Sequence, residues 1–215
     1  MTKQLKILNL YAGIGGNRKL WGDDHDITAV EIDPRIAKIY QDFFPKDKVI
    51  VADAHQFLLE HFSEYDFIWS SPPCPSHSKL RKTFSCSVGG GAKPVYPDMK
   101  LYEEILLLQG YYNGKYCIEN VIGWYKPLIS PQEIQRHYFW TNFWITPTEK
   151  IESDSINIGG RGEEDNEQIE RLQNKFQFNL ADYKIDKRLA LRNCVQPELG
   201  LYIFQEAFRE YKTLL

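Results

Sequence analysis

A cysteine set among prolines is the first place where this sequence could do chemistry. Ser71-Pro72-Pro73-Cys74-Pro75-Ser76-His77-Ser78 follows an apolar run, Tyr65 to Trp69, that reads as a strand. Proline restricts the backbone, so the turn is expected to be rigid and the Cys74 thiol exposed. Lys79, Arg81 and Lys82 come next and would favour the thiolate, the nucleophilic form of cysteine. The remaining cysteines lack that setting. Cys117 falls mid-strand and reads as core, Cys86 lies in a glycine-rich loop, and Cys194 precedes the last helix. No two are spaced Cys-x-x-Cys, so neither a disulfide framework nor a zinc ribbon is indicated. No metal is expected, and a reducing cytoplasm fits.

A second stretch, Cys117-Ile118-Glu119-Asn120-Val121, closes another apolar run. A carboxyl group buried at a sheet edge is costly without a purpose. Beside a nucleophilic cysteine, Glu119 could donate a proton to a ring nitrogen. A third stretch, Tyr11-Ala12-Gly13-Ile14-Gly15-Gly16, follows the first apolar run. Glycines at a strand-to-helix turn let a ligand approach the backbone. The spacing Gly-x-Gly-Gly is not the dinucleotide fingerprint, and a plain tight turn would also explain it. Glu31 ends the second strand, where an acid can accept hydrogen bonds from ribose hydroxyls. Asp53 lies just past the third strand, although either acid could simply cap a helix. Together they suggest a nucleoside-bearing cofactor in one crevice.

These residues need a scaffold that brings strand ends together. Strands are predicted at 5–10, 27–31, 48–51, 65–69 and 115–119. Helices are predicted through 18–21, from Pro34 to about Phe43, over 54–60, from an Asp98 cap to Gln109, over 163–175 and over 197–211. A hairpin is expected from Tyr138–Trp140 and Phe143–Thr146 around Thr141-Asn142. Strands alternating with helices imply an α/β fold, Rossmann-like, with a mostly parallel sheet. The expected division is a catalytic and cofactor domain over 1–146, a small recognition region over 147–186, and a C-terminal helix in 187–215 packing back on the first domain.

The chain has 215 residues and a net charge of −3, enough length for one sizeable core. It has no apolar run long enough for a membrane helix and no secretory leader pattern. The average charge hides a pattern. Residues 71–100 carry Lys79, Arg81, Lys82, Lys93 and Lys100 against Asp98 alone, whereas 149–170 are strongly acidic. Either run could be only a solvated face.

In order and spacing, these motifs resemble the DNA cytosine-5 methyltransferases. The likeness rests on Gly13-x-Gly15-Gly16, Glu31, Asp53, Pro72-Pro73-Cys74 and Glu119-Asn120-Val121. It extends to Gln132-x-x-x-Arg136 and Asn193-Cys194-Val195-x-Pro197, and so spans about 4–146 and 186–213. The resemblance implies a class I adenosylmethionine-dependent methyltransferase fold with a small recognition insertion. It implies S-adenosylmethionine as cofactor, with Tyr11 on its adenine, Gly13 and Gly15 at its methionine end, Glu31 on the ribose, Asp53 on the adenine amine and Asn193 in the closing cofactor-side motif. It implies that Cys74 attacks C6 of a flipped cytosine, that Glu119 protonates N3, that Asn120 positions the loop and that Arg136 steadies the base. Ser78 would contact a phosphate, and Lys79, Arg81 and Lys82 would close over the DNA. The sequence departs from the family at Ile134, in place of an arginine, and at Arg192, in place of a glycine. The recognition region is also much shorter than usual.

A monomer acting on DNA in the cytoplasm of a bacterial or phage-infected cell is expected, with no membrane partner. A restriction endonuclease or a partner subunit could accompany it. The alternatives are an RNA (tRNA) cytosine-5 methyltransferase and a DNA-binding subunit that needs a partner for recognition. A nicotinamide oxidoreductase would leave Pro72-Pro73-Cys74 and Glu119 unexplained. Arg161, in Ile158-Gly159-Gly160-Arg161-Gly162, is the expected base contact, for a target of about two to four base pairs.

Overall fold

The computed structural model describes residues 4–79, 95–148, 151 and 165–210. Four parallel-type strands come first: β1 (Lys6–Leu10), β2 (Asp26–Glu31), β3 (Lys48–Val51) and β4 (Phe67–Ser70). They are joined through α1 (Pro34–Phe43) and α2 (Ala54–His61), and α3 (Lys100–Tyr111) leads on to β5 (Lys115–Val121). A hairpin, β6 (Gln132–Ile134) and β7 (His137–Thr141), precedes α4 (Asp165–Phe176), α5 (Lys187–Arg192) and α6 (Pro197–Ala207). The strands form one seven-stranded sheet in the order β3-β2-β1-β4-β5-β7-β6. β1 to β5 are mutually parallel, and β7 runs antiparallel to β5. This is the α/β, Rossmann-like class that the strand–helix alternation predicts.

The central strands are buried almost end to end, as parallel strands covered on both faces must be. All four residues of β4 are buried. The order reverses between β1 and β4, and ligands of open α/β sheets bind at such a point, beyond the carboxyl ends of the strands. Helix starts are fixed locally. Asp33 accepts from the Arg35 amide at the head of α1, with Pro34 in its first turn, and Asp53 accepts from the Gln56 amide at the head of α2. Each satisfies an amide that the helix itself leaves unpaired.

Three apolar clusters hold the layers. One lies under α6 and joins Trp21, Phe67, Trp69 and Phe139 to Leu199, Ile203 and Phe204. A second lies under α2 and α3. The third sits against α1 and takes in Leu172 and Phe176 of α4, with Phe178, Leu180 and Leu191. Residues 169–185 therefore pack beside α1, whereas Ile151 packs against the first cluster.

Three local expectations are corrected. Residues 12–25 are turns, with no helix through 18–21. Gly13, Gly15 and Gly22 there take positive φ values of 54°, 88° and 83°, which an α-helix cannot use. Arg18 is pulled inward to a buried ion pair with Asp47, Nε to Oδ2 2.9 Å, and α6 packs where a helix would otherwise lie. A Cβ on Gly200 would stand 2.5 Å from the Asn17 carbonyl oxygen. The hairpin turns at Gln135-Arg136, with Gln135 at φ 57°, not at Thr141-Asn142. Residues 143–146 are held instead by the Gln132 side chain, which donates to Phe143 O (2.9 Å) and accepts from the Ile145 amide (2.8 Å). The 187–215 stretch, expected to hold one C-terminal helix, holds two among the described residues, α5, which starts from an Asp186 cap, and α6.

Candidate active site

A cleft of about 160 Å³, partly open to solvent, lies across the carboxyl ends of β1, β2, β3 and β4. Tyr11, Glu31 and Asp53 line it, with Ile32, Pro72, Pro73 and His77. Three strand-end residues singled out from sequence are thus brought to one cavity.

Glu31 organises the turn after β1. Its Oε2 accepts from the Gly13 amide and its Oε1 from the Asp33 amide, both at 3.0 Å. Each carboxylate oxygen keeps a second lone pair for another donor. Gly13 has open space where a Cβ would be, so a ligand can approach its backbone. Gly15 differs, because its Cβ would meet the Phe44 ring at 2.3 Å; it serves packing against α1. Neither Gly13 nor Gly15 is among the residues lining the cleft.

Asp53 both caps α2 and faces the cleft. Its carboxyl is held below the usual range, first by the Gln56 amide and then by Lys100. Asn193 is exposed at the end of α5 and does not line the cleft. Its neighbours Cys194 and Val195 press against Gly16, at 2.6–2.7 Å from a Cβ built there.

Tyr11 sits at φ 54°, an unusual conformation for a residue with a side chain. Its hydroxyl donates to Glu104 Oε1 at 2.6 Å. Glu104, on α3, is fully buried and also bonds Ser70 Oγ (2.6 Å) and His55 Nδ1 (3.1 Å). This network behind the cleft is absent from the sequence reading. A signal for it exists: Leu101, Glu104, Ile105 and Leu108 fall on one helical face, which puts a carboxylate at a core position. Ile32, 66% exposed on the cleft, was also missed, since one exposed isoleucine after a strand carries no pattern.

The Pro72-Pro73-Cys74 turn stands at the cleft's edge. The Asn120 amide donates to Pro72 O at 3.0 Å and is buried, so β5 holds the turn directly. Cys74 is half-buried, a correction to the expected exposure. Burial raises its thiol pKa and the Glu119 charge raises it further. The expected thiolate-favouring effect of nearby cations is thus outweighed where it can be seen. Lys79 is exposed, and Arg81 and Lys82 lie outside the described residues, as do Cys86 and Arg161.

Glu119 is 7% exposed and lies 2.6 Å, through Oε1, from His137 Nδ1. His137 was not singled out from sequence; its place opposite Glu119 depends on the β5–β7 register, which composition does not fix. Arg136 immediately precedes β7, and its carbonyl accepts from the Ile122 amide at 3.4 Å. Ser78 bridges to Gly123. His77 Nδ1 lies 2.6 Å from the Tyr125 hydroxyl. Cys117 is wholly buried.

Residues 5–89 match the family model of the C-5 cytosine-specific DNA methylases. The match holds the cleft acids and Cys74 but ends before Glu119. No curated protein matches the chain. Among solved structures, a SAM-dependent methyltransferase of Agrobacterium tumefaciens is similar at 15% identity and TM-score 0.41, over 60% of this chain and 41% of that one. A TehB-like SAM-dependent methyltransferase of Corynebacterium glutamicum is 16% identical at TM-score 0.36, over 58% and 60%. A protein of an Escherichia coli prophage, assigned as a DNA modification methyltransferase, is 19% identical at TM-score 0.38, over 57% and 34%.

Proposed function

We propose that this chain transfers a methyl group from S-adenosylmethionine to C5 of cytosine in DNA, through a covalent bond between Cys74 and C6. The observation that carries this reading is the pairing of Cys74 and Glu119. The thiol sits in a turn clamped by Asn120, within electrostatic reach of the carboxylate, at the edge of a cleft with two acids.

The cleft fits the cofactor. Glu31 keeps lone pairs for the ribose hydroxyls, Tyr11 and Ile32 offer apolar surface for the adenine, and Asp53 can accept from its amine. Gly13 leaves its backbone open toward the methionine end. When bound, S-adenosylmethionine supplies the methyl group. Cytosine C5 is a poor nucleophile until something adds at C6. Cys74 loses its proton to water and its sulfur bonds C6, while Glu119 gives a proton to N3. After C5 is methylated, its proton leaves to water, the C6–sulfur bond breaks, and the N3 proton returns to Glu119. The target base must leave the helix to reach the cysteine. Arg136 would steady it, and Ser78 and Lys79, with Arg81 and Lys82, would contact the backbone.

DNA carrying 5-fluorocytosine tests this. The fluorine cannot leave as a proton, so the enzyme should remain covalently attached in the presence of cofactor. Cys74→Ser should form no adduct, and an adduct that survives that change rejects the assignment. An RNA substrate should give no adduct.

A further inference from the structure

We propose that His137 is the positioning partner of Glu119 and that the two groups share the proton Glu119 delivers. This rests on the cytosine-5 reading above. Glu119 pairs with Phe139, and Val121 with His137, across β5 and β7. Glu119 and His137 are therefore diagonal neighbours on one face of the sheet. The distance of 2.6 Å between Nδ1 and Oε1 belongs to a strong, charge-assisted hydrogen bond. Phe139, fully buried, stands beside the imidazole with ring centroids 6.0 Å apart, so one side of the pair is dry.

The ionisable groups around the pair can be named. Cys74 faces it from the turn after β4, and Cys117 lies on β5; the thiols of both are raised in part by the Glu119 charge. Arg136 is next to His137 in the chain. Glu133 of β6 is opposite Tyr138, and so on the other face of β7. Trp69, paired with Cys117 on β4, is apolar and buried.

A glutamate hydrogen-bonded to an imidazole acts with it as one coupled proton site. When sulfur bonds C6, N3 takes this proton from the carboxyl group. When sulfur leaves, the proton returns to the carboxyl group and is again shared with His137.

Two measurements test the pair. In the free protein, the His137 Nδ1 proton is observed by NMR in wild type and in Glu119→Gln. The expected result is a far-downfield Nδ1 proton in wild type that moves upfield in the variant. Single-turnover methylation is then compared between wild type and His137→Gln, which can still donate a hydrogen bond but cannot carry the proton. The ratio of variant to wild-type rate should fall at least about tenfold from mildly acidic toward neutral pH. A merely structural histidine would give a ratio independent of pH, and that result overturns the shared proton. An unmoved Nδ1 proton overturns the pairing whatever the activity. A shifted Nδ1 proton in a chain that makes no 5-methylcytosine overturns the cytosine-5 reading, and the proton delivery with it, while upholding the hydrogen-bonded pair.

Discussion

A thiol that burial and a neighbouring carboxylate both push up is a poor nucleophile until its proton is removed. Cys74 is in that state, so its reactivity should rise with pH through and above the ordinary thiol range. Glu119→Gln removes one of the two causes. Alkylation of Cys74 by iodoacetamide at neutral pH should therefore be faster in Glu119→Gln, while DNA methylation falls by about 10²–10⁴, the usual worth of general acid–base catalysis. Mass spectrometry of the Cys74 peptide reads the first change, and single-turnover kinetics the second. Glu31→Ala should weaken cofactor binding without unfolding the protein, as followed by calorimetry, because it deletes an acceptor at the end of β2 and frees only two backbone amides. The chemistry-bearing residues were legible in the sequence because each ends an apolar run: Glu31 after β2, Asp53 after β3, Cys74 after β4, Glu119 near the end of β5. Glu104 and His137 were not, because a helix position and a strand register had to be known first.

At the scale of elements, two ties hold the turn segment 11–22 in place of a helix. Arg18 is buried against Asp47, whose Oδ2 also accepts from the Tyr40 hydroxyl at 2.8 Å. Arg18→Met would leave Asp47 buried with one partner fewer, and a loss of about 3–5 kcal/mol is expected in chemical denaturation. Gly15→Ala adds a Cβ against Phe44 at a residue with φ 88°; overpacking and backbone strain together should cost about 2–4 kcal/mol. The α2–α3 contact should respond to pH. The hydrogen bond to Glu104 raises the His55 pKa above its usual 6.5. That contribution is complete below 6.5 and is lost as pH rises through the higher folded value. His55→Gln should flatten this part of the stability profile in thermal melts across neutral pH. The apolar periodicity gave most strands and helices their places, but the 12–25 turns and the hairpin turn escaped it. In both, side chains rather than periodicity decide: Arg18 and Gln132 reach across to hold segments that no repeat announces.

At the scale of the whole molecule, the sheet order places the cleft and the Cys74–Glu119 pair on the same edge of the sheet. Residues 165–180 pack into the core beside α1, so on the proposed function 147–164 and 181–186 are the parts of the 147–186 stretch that remain for contact with DNA. Among the described residues, no helix is long and apolar enough to cross a membrane. The most direct test is base-resolution sequencing of 5-methylcytosine in DNA from cells that express the chain, with Cys74→Ser expressed in parallel. Methylation should appear at one short recurring site, of about two to four base pairs, and should vanish with Cys74→Ser. DNA without 5-methylcytosine, or a mark that persists in the serine variant, would contradict the assignment.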